Sequence, residues 1–280
     1  MSTSDSEIGL ILRQLYLDLK SRRVEFRARA ARDIRTILEI QAREHGSERA
    51  QSLFVSIARD MLDLVNSVDP CEQLGCLEVI TELVEWKCEF QETMIGRFKE
   101  CFRRLFDLAP SNPDIVLETA AKAIAHVATT GIVQTLEFAS EQIEKALETI
   151  ETLTRSVTRY RLAAVLILKE LALSCPTIFS SYVDTFMRNI WYVLRDPHPR
   201  LRAEAVNALR VVLHSVKKPV AEQQRALYKN FYEMALSTLR APQAPMWATH
   251  GSLLGMGELL IVPFHRNFCI VHVVVQQLVF

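Results

Sequence analysis

One pattern recurs six times along this chain and limits its fold more than any other feature. A small residue is followed four places on by an aliphatic one, and three places later by another. The small residues are Ala30, Cys76, Ala120, Ala164, Ala205 and Ser252. Four places on stand Ile34, Ile80, Ile124, Leu168, Leu209 and Met256, then Ile37, Leu83, Val127, Leu171, Val212 and Leu259. The spacing i, i+4, i+7 puts each trio on one face of an α-helix. Ala31, Leu77, Ala121, Val165, Val206 and Leu253 directly follow these anchors and widen the face. A helix apolar over so much of its circumference must be covered on several sides.

The anchors are 46, 44, 44, 41 and 47 residues apart, the period of a two-helix repeat of the HEAT or armadillo kind. In a stack of such pairs the inner helix touches its own partner and both neighbouring repeats, and a small anchor lets the backbones approach closely. Composition agrees. The chain has 8 Gly and 10 Pro in 280 residues, where ordinary usage gives about 20 and about 14, so tight turns are scarce. Outer helices are expected over 8–20, 49–66, 92–108, 133–152, 177–195 and 221–240. Asp69-Pro70, Asn112-Pro113 and Asp196-Pro197 each offer a capping side chain followed by proline at the first helical position. The expected fold is all-α, an α-solenoid of about six repeats over residues 8–260, after a Ser- and Asp-rich, disordered stretch at 1–7.

Residues 261–280 break this logic. IVPFHRNFCIVHVVVQQLVF has no polar face, and Pro263 interrupts any continuing helix. It is too short and too interrupted for a membrane span. The expectation is an atypical apolar tail, the product of splicing or truncation. The last inner helix then lacks the repeat that would cover it, and self-association through this C-terminal end is expected.

No catalytic or metal-binding motif emerges. Lys plus Arg and Asp plus Glu are each 33, so the basic excess of a nucleic-acid binder is missing. The six cysteines form no CxxC pair, which favours free thiols in a reducing, cytoplasmic compartment over a disulfide framework. Gly251, Gly255 and Gly257 lack the Gly-Lys-Ser/Thr ending and the preceding strand of a phosphate loop, and read as close helix packing. His265, Cys269 and His272 have no fourth ligand. No cofactor is expected. What remains is surface: positions two and five after each anchor are the uncovered ones on the inner helices. They give Arg32, Glu78, Lys122 and Asn207 in one row, and Arg35, Thr81, Lys169 and Arg210 in the other. On the concave side of a solenoid these rows are the candidate partner-binding residues. Arg22 to Arg35 is the one basic concentration, readable as a patch for an acidic partner or as a solvated helix face.

Several longer segments carry a resemblance. LKSRRVEFRARAARDI at 19–34, IGRFKECFRRLFDLAPSNPDIVLETAAKAIAHVA at 95–128, RLAAVLILKELALSCPTIF at 161–179 and THGSLLGMGEL at 249–259 are similar to the N-terminal HEAT region of the target-of-rapamycin (TOR) protein kinases. The similarity runs in order from about Gly9 to Leu260, and the chain departs from the family after that. The resemblance implies a segment of a very large, growth-regulating serine/threonine kinase, truncated before the kinase domain. The glycine-loop, HRD-like and DFG motifs have no counterpart here, so no catalytic residue carries over. It implies a scaffold that docks Raptor, or Rictor in the second complex, contributes to contacts with the GTPase Rheb, and supports dimer assembly. It also implies a cytoplasmic location, with lysosomal or other endomembrane surfaces reached through partners. A generic HEAT adaptor of the transport-receptor or phosphatase-scaffold type, or a protein named as a kinase by homology, are the alternatives.

Overall fold

A computed structural model describes the backbone of residues 3–130, 133–152, 158–216 and 221–261. Among these residues all regular structure is helical: thirteen α-helices and one short 3-10 turn. Contacts divide the chain into two compact units, Met1–Ala139 and Ser140–Phe280.

The first unit holds α1 (Thr3–Leu19), α2 (Val24–His45), α3 (Ser47–Asn66), α4 (Pro70–Val84), α5 (Gln91–Asp107) and α6 (Asp114–Ala128). The helix α7 (Val133–Glu151) crosses the division. The second unit holds α8 (Thr158–Ser174), α9 (Pro176–Phe179), the 3-10 turn Ser180–Tyr182, α10 (Val183–Leu194), α11 (Pro199–Ser215), α12 (Ala221–Arg240) and α13 (Met246–Ile261). The six anchors fall on α2, α4, α6, α8, α11 and α13. Within the first unit α2, α4 and α6 pack in series, each against its own partner among α1, α3 and α5. Within the second, α8, α11 and α13 pack in series, with α10 against α11 and α12 against α13. These are the stacked helix pairs of an α-solenoid.

Two outer helices differ from expectation. The first begins at Thr3 and not at Ile8, inside the stretch the sequence leaves without structure. The expected helix over 177–195 is broken into α9, the 3-10 turn and α10. Ser180 Oγ donates to the Thr177 carbonyl at 2.6 Å, the local competition with the helical ladder that serine offers. Residues 262–280, including His265, Cys269 and His272, lie outside the described residues.

The anchors are buried, Cys76, Ala164, Ala205 and Ser252 completely. Between the layers sit the largest buried side chains, Phe54, Phe98 and Phe138 in the first unit and Phe179, Phe186 and Phe231 in the second. Phe54 meets Phe98 edge-on at 6.2 Å and Trp191 meets Phe231 at 5.2 Å, the geometry that the ring quadrupole favours. Close approach is most demanding one residue before an anchor. A Cβ on Gly75 would overlap the Leu19 carbonyl oxygen, and one on Gly251 the Leu194 carbonyl oxygen.

Three of the turns joining outer to inner helix share a device. Nine residues before the anchor, a side-chain oxygen accepts from the backbone N–H two residues on: Ser21 from Arg23 at 3.2 Å, Ser67 from Asp69 at 3.1 Å, Asp196 from His198 at 2.8 Å. The carbonyl of that same residue accepts from the side chain three before the anchor. Arg27 Nη1 reaches Ser21 at 2.8 Å, Gln73 Nε2 reaches Ser67 at 3.0 Å, and Arg202 Nη1 reaches Asp196 at 2.8 Å. Polar groups in a tight, partly buried turn need partners, and these side chains supply them.

Of the three expected caps, Asp69 behaves as one: Oδ1 accepts from Cys71 N at 2.8 Å, with Pro70 opening the helix. Asn112 and Asp196 do other work. Each precedes its helix by more than one residue, since α6 starts at Asp114 and α11 at Pro199. Asn112 is buried, accepts from Gln73 Nε2 at 3.0 Å and donates to the Leu105 carbonyl at 3.3 Å. Asp196, also buried, pairs with Arg161 Nη2 at 2.7 Å. Both tie consecutive repeats together.

Candidate protein-binding rows on the inner helices

In the first unit, positions two after the anchors place Arg32 on α2, Glu78 on α4 and Lys122 on α6 along adjacent packed helices. Arg32 and Lys122 are exposed, and among the described residues no carboxylate lies within ion-pair reach of either. Glu78 between them is half-buried. Burial pushes its carboxyl above the usual range, Arg27 and Arg32 pull it back, and Glu82 adds to the rise.

Positions five after the anchors are more committed. Arg35 Nε donates to Glu39 Oε1 at 2.8 Å, while Nη1 reaches the Glu82 carbonyl at 3.4 Å and lies 4.0 Å from carboxylate oxygens of both Glu82 and Glu85. Arg35 therefore straps α2 to α4. Thr81 is exposed, but its hydroxyl is used within α4, donating to the Leu77 carbonyl at 2.9 Å. His126 Nε2 stands 3.4 Å from Glu85 Oε1, linking α6 to the end of α4.

In the second unit the predicted residues are mostly straps. Lys169 Nζ lies 3.3 Å from Glu204 Oε2 and 3.4 Å from Glu170 Oε1. Buried Glu204 also receives Arg200 Nη1 at 3.1 Å. Arg210 holds Glu258 bidentately, Nε to Oε2 at 2.9 Å and Nη2 to Oε1 at 2.6 Å, the strong planar fork of guanidinium on carboxylate. Asn207 Oδ1 accepts from Arg210 Nη1 at 3.5 Å.

The acidic partners Glu82, Glu204 and Glu258 are absent from the two predicted rows. A signal for two of them exists in the repeat register. Glu82 and Glu258 stand six after their anchors, and each takes the arginine five after the preceding anchor. Glu204, one before its anchor, follows no such rule.

Cys76 is a core thiol, held well above its usual pKa by a hydrogen bond with Cys101 and then by burial. Gly251 and Gly255 face Leu194 and Phe231 as close-packing residues, whereas among the described residues nothing lies within 4 Å of a Cβ placed on Gly257. Two open recesses lie in the second unit. One of about 610 Å³ is bordered by Arg195, Ser237, Thr238 and residues 241–244, and one of about 380 Å³ lies between α10 and α12. Among the described residues, no three His, Cys, Asp or Glu side chains are grouped to hold a metal. No single described helix is long and apolar enough to cross a membrane, though α8 with residues 176–194 passes on length and composition as a pair bent by 115°.

No protein-family model matches the chain. Curated proteins do. The chain is 34% identical over 215 residues to the serine/threonine-protein kinase TOR of Arabidopsis thaliana, covering 76% of this chain and 8% of that protein. It is 28% identical over 246 residues to tor1 of Schizosaccharomyces pombe, 88% of this chain and 10% of the relative. The Oryza sativa TOR kinase matches at 30% over 227 residues, 81% and 9%. The chain resembles a small stretch of a TOR kinase. Its matched residues span about a tenth or less of the TOR relatives. Among solved structures, a designed armadillo repeat protein aligns at 14% identity with a TM-score of 0.40, over 89% of this chain and 99% of that one.

Proposed function

We propose that the chain is a non-catalytic scaffold segment of TOR type, whose inner-helix rows contact protein partners. The observation that supports it is the similarity itself. It runs through 76–88% of a chain built of stacked helix pairs while covering 8–10% of the TOR kinases matched, which leaves phosphotransfer to other parts of such a protein. The partners are those of TOR complexes: Raptor or Rictor as the docked subunit, and Rheb as the activating GTPase, in the cytoplasm and at endomembrane surfaces reached through them.

The first unit offers the more available surface. Arg32 and Lys122 are exposed cations held on packed helices, suited to carboxylates of a partner, and charge complementarity of this kind steers association and fixes register. In the second unit, Lys169 and Arg210 already neutralise Glu204 and Glu258. The test is capture of purified Raptor, Rictor or Rheb by the chain, alongside a phosphotransfer assay with ATP. Capture of one of them, lost on Arg32→Glu with Lys122→Glu at unchanged helical content, is the expected result. Measurable turnover, or capture indifferent to both charge reversals, overturns the reading.

A further inference from the structure

Ten residues before the anchors Ala30, Cys76 and Ala205, where outer helix turns into inner helix, stand the polar residues Lys20, Asn66 and Arg195. The following repeat engages the first two. Lys20 Nζ lies 3.2 Å from Glu72 Oε2, a carboxylate four residues before the next anchor. Asn66 Oδ1 accepts from Arg104 Nε at 3.2 Å and Nη2 at 3.0 Å. Arg195 is treated differently. Four before its next anchor stands Ala248, buried and uncharged. Among the described residues no carboxylate lies within ion-pair reach of Arg195, and its Nε is buried without an acceptor.

This charge is held in place beside open space. The guanidinium carbon of Arg195 lies 5.5 Å from the centroid of the Trp191 ring. Trp191 is itself buried against Phe231, so the cation rests on a fixed aromatic face. The recess of about 610 Å³ next to it is walled by the last turn of α12 and by residues 241–244, and Arg195 is the charged residue of its lining. Ser237 and Thr238 spend their hydroxyl hydrogens on the Met234 carbonyl, at 2.8 and 3.2 Å, which leaves their oxygens as acceptors. The last carbonyls of a helix carry partial negative charge as well. One cation among acceptors suits a singly charged carboxylate flanked by N–H donors, as on an extended acidic peptide. Phosphate is disfavoured, because its second charge would meet the carbonyl end of α12. Both walls belong to consecutive described repeats, and a further repeat in such a series stacks on the far side of the α12–α13 pair, which leaves this recess open.

We propose that this recess binds an acidic segment of a partner protein. A Glu or Asp carboxylate of the partner takes at Arg195 the role that Glu72 takes at Lys20, while main-chain N–H groups of the segment donate to the end of α12. The planar guanidinium matches a carboxylate through two parallel hydrogen bonds, which a point charge cannot do. The site lies wholly in the second unit and is independent of Arg32 and Lys122.

The probe is a fluorescein-labelled decapeptide of alternating Glu and Ala, followed by fluorescence anisotropy. It is titrated with the full chain carrying Arg32→Glu and Lys122→Glu, so that the inner-helix rows contribute nothing. Weak, salt-sensitive binding is expected, falling roughly tenfold or more when Arg195→Gln removes the cation, and again when Gln243→Glu places a competing carboxylate in the recess. Gln243 is exposed on the turn after α12, so the second substitution spares the fold. Circular dichroism reports helical content for both, and Gln243→Glu decides alone if Arg195→Gln loses it. A decapeptide of alternating Gln and Ala should not displace the probe. Three results overturn the proposal: no binding of the acidic peptide, binding that survives either substitution in a folded chain, or displacement by inorganic phosphate as effective as by unlabelled peptide.

Discussion

Gly75 and Gly251 stand one residue before the anchors Cys76 and Ser252, where an inner helix rests on the C-terminal end of an earlier outer one. A methyl group at either place meets a carbonyl oxygen, of Leu19 or of Leu194, and a backbone atom cannot rotate away as a side chain can. Gly75→Ala and Gly251→Ala are each expected to destabilise the fold by about 1–3 kcal/mol, the range for overpacking. Gly257→Ala has open space beside it and should gain up to about 1 kcal/mol from helix propensity. Urea titration of the three variants checks this, and a loss of stability in Gly257→Ala would contradict the assignment of its open face. Glu78 is a second residue with a definite expectation. Its folded pKa is raised, chiefly by burial, so the folded chain binds its proton more tightly than the unfolded chain does. Its ionisation costs stability at neutral pH, and that cost disappears as pH falls below the ordinary carboxyl range. Glu78→Gln should therefore raise the melting temperature at pH 7, with the advantage shrinking on acidification towards about pH 4. A constant advantage across that interval would assign the effect to packing.

Consecutive helix pairs are joined by polar straps as well as by the apolar seam, and Arg161 with Asp196 is more buried than the Lys169–Glu204 and Arg210–Glu258 straps. Side-chain exposure is 13% and 6%, at 2.7 Å. Removing one partner leaves a buried charge uncompensated, so Arg161→Met or Asp196→Asn should each cost about 3 kcal/mol, with the double variant losing less than the sum. A double-mutant cycle by chemical denaturation measures the coupling; strict additivity would show that the pair contributes nothing as a unit. The helices themselves were legible in the sequence, because a small residue followed at i+4 and i+7 by aliphatics repeats on α2, α4, α6, α8, α11 and α13. The outer helix expected over 221–240 is found as α12 (Ala221–Arg240), and Asp69-Pro70 caps α4 as its residues suggest. The straps were not legible in the same way. Asn112 and Asp196 read as caps because capping chemistry is local, whereas their Gln73 and Arg161 partners lie 39 and 35 residues away in the sequence. For the same reason the predicted rows paired Arg210 with solvent, while the structure gives it Glu258, 48 residues on. Arg32 and Lys122 are exposed and have no carboxylate within ion-pair distance among the described residues, although Arg32 draws the carboxyl of Glu78 down electrostatically.

At the scale of the whole chain, stability built from helix pairs is close to one-dimensional: each repeat leans on its neighbours, and a perturbation decays along the series. The packing partners of α13 are α10, α11 and α12, and those of α2 are α1, α3 and α4. Gly251→Ala, which forces α13 away from the Leu194 carbonyl, should therefore lower amide protection first in α13 and in the helices that touch it, and leave α2 and α4 with their original exchange rates. Hydrogen exchange followed by mass spectrometry resolves the two, since peptides from α2, α4, α10 and α13 are distinct in sequence. The reciprocal variant, Gly75→Ala, should loosen α4, α1 and α2 while α11 and α13 stay protected. Local opening of this kind is a property that all-or-none domains lack. A uniform loss of protection from either substitution would mean that the two compact units unfold as one cooperative body, and the additive account of the repeats would then fail. Selective loss, confined to the perturbed unit, would also make the partner test interpretable: Gly251→Ala would disturb α13 while leaving Arg32 and Lys122 in place, so capture through the first unit should survive it.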